Sequence, residues 1–189
     1  MKQNIIDRPQ EKVCLADLPQ YAHFFDNDKE EYIVCEQFAN GIAAVLKVDR
    51  LEDNMKFGQN NNWAESEIRE YLNNEYLKEL ERKFGKENIA EHKVDLLSMD
   101  GFDDYGCTMD KVAIRTFDEY RKYSMGIGLV ESEWLATPTQ TPSRNCSGSG
   151  FVGYVGSSGR VNWHWYDSCK GVRPFFFLES SIFVSLEEC

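Results

Sequence analysis

From Glu133 to the C-terminus no stretch of this chain carries helical periodicity, and short apolar runs alternate there with glycine-rich turns. Two helical patterns precede that region. Helices first and short strands afterwards argue against an alternating β/α fold and predict α+β, two helices packed on short antiparallel strands. Within the strand region, the stretch from Ser143 to Lys170 has its own composition: Tyr, Trp, Phe, Ser, Asn and many glycines. Tyr and Trp supply large contact area for few rotatable bonds, and Ser, Gly and Asn supply adaptable hydrogen bonds, which is the make-up of a binding surface. A glycine-rich hairpin whose aromatics belong to the core is the competing reading.

The first helix is expected to open at Asn60-Asn61-Asn62, with Asn62 as cap and Glu65 closing a box. Ile68, Tyr71, Leu72, Tyr76, Leu80 and Phe84 follow at helical spacing, and Gly85 ends the run. The second starts at Thr116, with Glu119 as its box partner, and stops near Gly126. Strands are expected at 32–35 and 42–48, joined through Asn40-Gly41, then at 94–98, 134–136, 151–155, 159–162 and 172–178. Residues 1–12 are polar and read as loose. No repeat or linker divides 13–189, which reads as one domain.

Composition narrows the partners. A formal net charge of −11 with no local basic stripe disfavours nucleic acid and anionic membrane surfaces. No apolar run approaches the ~20 residues that span a bilayer, and no apolar leader opens the chain, so a soluble product made in the cytosol is expected. The six cysteines, at 14, 35, 107, 146, 169 and 189, form no Cys-x-x-Cys pair, and no zinc site is expected.

Several short motifs invite chemistry that their contexts do not support. Gly148-Ser149-Gly150-Phe151-Val152-Gly153 spells GxGxxG, but it lacks the preceding strand and following helix that would bring its backbone to a pyrophosphate. His164, Asp167 and Ser168 lie within five positions of one hairpin, whereas a catalytic triad is assembled from distant segments beside an oxyanion hole. Asp100-Gly101-Phe102-Asp103-Asp104 lacks EF-hand spacing and reads as a turn. Trp63 and Trp134 are expected in the core. Alternation puts Trp163 and Trp165 on one face of a strand, with Asn162, His164 and Tyr166 on the other, and one of those faces must be wet.

Asn62-Trp63 with Ser66-x-x-Arg69-x-x-Leu72-Asn73, then Asp118-Glu119-Tyr120-Arg121, Trp134-Leu135-Ala136-Thr137-Pro138 and Gly171-Val172-Arg173-Pro174-Phe175, stand in an order that resembles a domain family. That family is common in gut Firmicutes and their phages, and is similar to C-type-lectin-fold domains of the formylglycine-generating branch. The resemblance covers about residues 30–183. Its members include variable proteins of diversity-generating retroelements, in which adenine-directed mutagenesis rewrites a C-terminal segment displayed on a lectin-like fold. A mutated Asn codon yields Asn, Ser, Tyr, His, Asp, Cys, Gly, Arg or Phe, which abound here, but never Trp. Trp163 and Trp165 would then be fixed or descend from another codon.

The resemblance implies a C-type lectin-like fold that works as a ligand-binding display protein without catalysis, metal or cofactor. Its variable surface would run over about 143–170 through Arg144, Asn145, Cys146, Ser147, Ser149, Phe151, Gly153, Asn162, Trp163, His164, Trp165, Tyr166, Asp167 and Ser168. Trp134, Gly171, Arg173 and Pro174 would be framework, with Arg173 binding loop carbonyls through its planar fork. The partner implied is a protein or glycan ligand on a host cell surface, met by a phage particle or cell envelope that displays the domain. The motifs of calcium-dependent sugar binding are absent. Two alternatives stand beside this reading: a copper-dependent oxidase of formylglycine-generating type using Cys146 and Cys169, and a structural phage or envelope domain.

Overall fold

The helical spacing from Ile68 to Phe84 becomes one rod that changes pitch midway. α1 (Glu67–Tyr71) passes through a π-helical turn (Leu72–Tyr76) into α2 (Leu77–Phe84). The computed structural model describes residues 11–143 and 150–186. Ile68, Leu72, Tyr76 and Leu80 line the buried side of the rod, and each of the three aliphatic side chains contributes roughly 2 kcal/mol through burial. Gly85, at φ +87°, ends it. The N-terminal cap is not Asn62. The Asn62 side chain accepts the Ala64 N–H and opens a separate 3-10 turn over Trp63–Glu65. Ser66 is extended, and its hydroxyl accepts the Arg69 N–H to start the rod. α3 (Phe117–Tyr123) has the expected capping box between Thr116 and Glu119.

Among the described residues fifteen strands accompany these helices. They are β1 (Glu11–Cys14), β2 (His23–Phe25), β3 (Glu31–Gln37), β4 (Ile42–Lys47) and β5 (Met55–Lys56), all before α1. Between the rod and α3 come β6 (Ile89–Ala90), β7 (His92–Asp95), β8 (Cys107–Asp110) and β9 (Val112–Ala113). After α3 come β10 (Glu133–Pro138), β11 (Phe151–Val155), β12 (Val161–Trp165), β13 (Cys169–Lys170), β14 (Phe175–Glu179) and β15 (Phe183–Leu186). Every pairing between these strands is antiparallel. The molecule is α+β, with its helices set against antiparallel sheets.

The largest sheet runs β1-β15-β2-β3-β4-β14-β6, with β9 also on β14, and β10-β11-β12 form a separate sheet of three. Three expected strands shift: β7 starts at His92 rather than Val94, β12 starts at Val161 because Gly159 sits in the turn at φ +76°, and β14 starts at Phe175 rather than Val172. β1 opens at Glu11, inside the segment expected to be loose, where Glu11 and Lys12 pair with Leu186 and Ser185.

The motif residues of the rod hold it to β8 and β9. Asp110, 2% exposed, accepts the Trp63 indole N–H at 2.8 Å, the Arg69 Nε–H at 2.7 Å and the Thr108 hydroxyl at 2.7 Å. Asn73 accepts the N–H groups of Lys111 and Val112 and donates to the Val112 carbonyl. One carboxylate and one amide thus satisfy donors that packing alone would leave unpaired.

Candidate functional site

The two framing motifs are bonded to each other. Gly171 accepts the Trp134 N–H at 3.0 Å and donates to the Ser132 carbonyl at 3.1 Å. A Cβ on Gly171 would stand 2.4 Å from that carbonyl oxygen, so only glycine permits the approach. Trp134 is buried, and its indole N–H donates to the Met55 carbonyl. Arg173, also buried, donates from Nε to the Lys47 carbonyl at 2.8 Å and from Nη1 to the Gly128 carbonyl at 3.0 Å. Burial lowers its pKa, opposed by the nearby Glu133 carboxylate. The Pro174 carbonyl accepts the Lys47 N–H. This frame fixes the root of the three-stranded sheet.

Strand register sorts the aromatic segment into two faces. Phe151 stands opposite Trp165, Gly153 opposite Trp163 and Val155 opposite Val161, so these six residues share the outer face, whose Val155–Val161 end packs with Tyr120 and Leu135. Val152, Tyr154, Asn162 and His164 share the inner one, where Val152 and Tyr154 meet the main core. Trp163 is 61% exposed and Trp165 45% exposed. The Trp pair is therefore the wet face that alternation required. His164, at the rim of the inner face, is exposed as well.

Local contacts set the pose of each ring. Trp165 lies against Phe151 with centroids 4.4 Å apart, and it covers Gly150, where a Cβ would meet the indole at 1.8 Å. Gly153 is buried beneath Met99, whose Cε would be 2.4 Å from a Cβ there, so Gly153 makes room and offers no surface. Beside Trp163 lies a shallow groove of about 410 Å³ lined by Met99, Asp100, Thr139, Gln140, Phe151 and Trp163. Met99 also borders a second cleft of about 380 Å³ that runs toward Phe117 and Lys93.

The turn after β12 is closed on itself. Ser168 N–H donates to the Trp165 carbonyl at 3.0 Å, and Trp165 N–H donates to His164 Nδ1 at 3.0 Å. Ser168 Oγ stands 2.5 Å from the same nitrogen. Nδ1 is thus an acceptor that caps a turn, and no described bond ties Asp167 to the imidazole. Tyr166 donates its N–H to Gly150, and its carbonyl accepts the Phe57 N–H. Arg144, Asn145, Cys146, Ser147 and Ser149 lie outside the described residues. Ser143, at the border, donates its N–H to the Asp104 carboxylate.

Three groove residues, Met99, Thr139 and Gln140, carried no signal in the sequence, and Asp100 was read there only as part of a turn, because two loops far apart in the chain bring them together. Asn61 was also missed as a positioning residue. Fully buried, it donates to the carbonyls of Gln140 and Phe151 and accepts the Tyr105 hydroxyl. The buried Arg115–Glu133 ion pair under β10 is the third omission. Asp100 to Asp104 form a turn: Gly101 sits at φ +87°, and Ser98 bonds Asp100 and Phe102. Among the described residues no group of three His, Cys, Asp or Glu side chains could hold a metal, and no helix is long and apolar enough to cross a membrane.

The fold and site together define an α+β domain that presents exposed tryptophans on an end strand held by a rigid frame. Comparison of the chain with known protein families, with curated proteins and with solved structures finds no match.

Proposed function

We propose that this chain is a ligand-binding display protein of C-type lectin-like type, with the β11–β12 ribbon as its binding surface. The observation that carries the reading is the pair of tryptophans held solvent-facing on one strand, above a frame whose own side chains are buried. Isolated apolar residues at a surface are ordinary, but two adjacent indoles beside an apolar groove form the kind of patch that marks an interaction site. Trp163 and Trp165 would anchor a partner through aromatic area, and Asn162, His164, Tyr166, Asp167 and Ser168 would tune hydrogen bonds around them. The partner is a protein or glycan on a host surface, met by a phage particle or cell envelope that carries the domain. Retroelement variation of the segment at 143–170 is part of the proposal.

Sequencing the DNA around the gene tests it. A near-copy of the codons for 135–175 that differs only at adenines, beside a reverse transcriptase gene, is the expected finding. Sibling genes should then differ within 143–170 and agree across the frame. No such copy, together with siblings identical through that segment, would remove variable display and leave a structural domain.

A further inference from the structure

The β7–β8 hairpin is an arm rooted in the main sheet. Leu178, Phe177, Phe176 and Phe175 of β14 pair in turn with Ile89, Ala90, Val112 and Ala113. The chain therefore leaves that edge after Ala90 and rejoins it at Val112 with no β14 residue skipped, and residues 91–111 project as one excursion. Its first cross-strand pair is His92 opposite Asp110. The far end of the arm reaches the β10–β11–β12 sheet. Met99 donates its N–H to the Pro138 carbonyl at 2.9 Å, and its side chain lies over Gly153. The Tyr105 hydroxyl donates to Asn61 at 2.8 Å, and Asn61 in turn holds the Phe151 carbonyl. Both routes end on β10 and β11.

The root has no place for a second proton on His92. The ring is buried against Phe175 and Phe177, and neither nitrogen has a partner among the described residues. β14 presents only those two phenylalanines to it, and β6 and β9 contain no titratable residue. Glu91 and Lys93 lie on the exposed face, where Lys93 pairs with Asp95. Asp110 is the charged group that acts on the ring, and its carboxylate is already full. One oxygen takes Nε and Nη2 of Arg69, and the other takes the Trp63 indole and the Thr108 hydroxyl. Those four donors occupy the roughly four lone-pair sites of a carboxylate. An imidazolium at the root would therefore carry two buried donors and a charge without an acceptor, a cost that moving the root into water removes.

We propose that residues 91–111 are an acid-released arm: when His92 takes a proton the root leaves the core, and the tip withdraws Met99 and Tyr105 from the strands that carry the binding surface. Burial lowers the His92 pKa from 6.5 to about 4, so the closed root binds its proton later than the opened one. Closure is therefore strongest above 6.5 and weakens as pH falls toward about 4. That the unbraced face is a binding surface rests on the function proposed above, whereas release of the arm does not.

The test is amide exchange of the full chain, read by NMR at pH ~8 and pH ~5, corrected for the intrinsic rate and repeated at low urea concentrations. Protection of the Met99 amide and of the bonded β7 and β8 amides should fall ~30-fold between the two pH values, the ratio that values of 6.5 and about 4 give. These amides should also be less protected than those of β3 and β4 and respond less to urea, because opening an arm exposes less surface than global unfolding. In His92→Phe, which keeps the stack, the fall with pH should be less than ~3-fold. An equal fall in the variant would overturn the proposal. So would arm amides that share the protection and urea response of β3 and β4, since the arm would then open only with the whole molecule. Should the variant misfold, the His92 imidazole signals of the parent decide: proton uptake at about 4 is expected, and uptake near 6.5 would overturn the closed root. The gene-neighbourhood test bears on the binding surface, and neither of its results alters these outcomes.

Discussion

His92 should make this protein lose stability as pH falls from 6.5 toward about 4. It sits at the start of β7, 6% exposed, stacked on Phe177 with centroids 4.3 Å apart and edge-on to Phe175. Neither ring nitrogen has a hydrogen-bond partner among the described residues. Burial disfavours the imidazolium and lowers the pKa from 6.5 to about 4, and the negative Asp110 across the strand pair only partly opposes it. The folded state thus binds its proton later than the unfolded chain does. Stability contributed by neutral His92 is complete above 6.5, falls as pH drops below it, and levels off below about 4. The gap between 6.5 and about 4, at ~1.4 kcal/mol for each tenfold change, is about 3 kcal/mol. About 2 kcal/mol of that is gone by pH ~5. Urea unfolding at pH values from ~8 to ~5 measures it, compared with His92→Phe, which keeps the stack and has no proton to gain. The parent should weaken by about 2 kcal/mol over that span and the variant by much less. Parallel curves for the two proteins would refute the reasoning.

Asp110→Asn should destabilise by about 3 kcal/mol, because an amide that keeps its oxygen on Trp63 and Thr108 turns its NH2 toward Arg69, which also loses its countercharge; thermal or urea melts measure it. Asn61→Ala should cost about 2 kcal/mol, since the carbonyls of Gln140 and Phe151 and the Tyr105 hydroxyl lose a buried partner, and amide exchange should quicken around the groove. Gly150→Ala should cost within about 1 kcal/mol, because only the movable indole of Trp165 stands in the way; its fluorescence should shift to the red as it leaves Phe151. Lys83→Met should destabilise by about 3 kcal/mol at neutral pH, because Lys83 bridges Asp26, Glu30 and Glu79. Burial raises the Glu30 pKa, and the bonds to Lys83 and Lys47 more than reverse that, to about 2. In the variant Glu30 should therefore take up its proton at a higher pH, and carboxyl NMR would follow it.

Strong local signals survived folding and weak ones moved. The Thr116–Glu119 box and the Asn40-Gly41 turn needed only neighbours in sequence, and both formed where the residues put them. Asn62 caps the 3-10 turn of Trp63–Glu65 and not the helix that follows it. Ser66 took the longer helix, where the Glu67 N–H meets the Phe57 carbonyl, a contact that no pattern within the helix announces. Asn61 and Asp110 were illegible for the same reason: apart from Thr108, what each bonds lies about forty or more positions away.

The aromatic strand shows where that boundary falls. Side-chain alternation has a period of two, so the grouping of Trp163 with Trp165 could be read directly from the residues. Exposure could not, since it depends on which face meets the core, and that was decided by Trp134 and Val152 packing beneath the ribbon. Still less legible was the phase of the backbone bonds. The Gly156–Arg160 closure sets it, with Gly159 held at positive φ between them, and it turns the N–H and C=O of Trp163 outward. Had the opposite phase been chosen, Trp163 would keep its exposed ring but spend its backbone on β11, and Asn162 and His164 would form the open edge. The same five residues would then offer side chains on one side and polar backbone beside different neighbours. The coincidence of exposed ring and outward-facing backbone at one residue is thus a product of the turn.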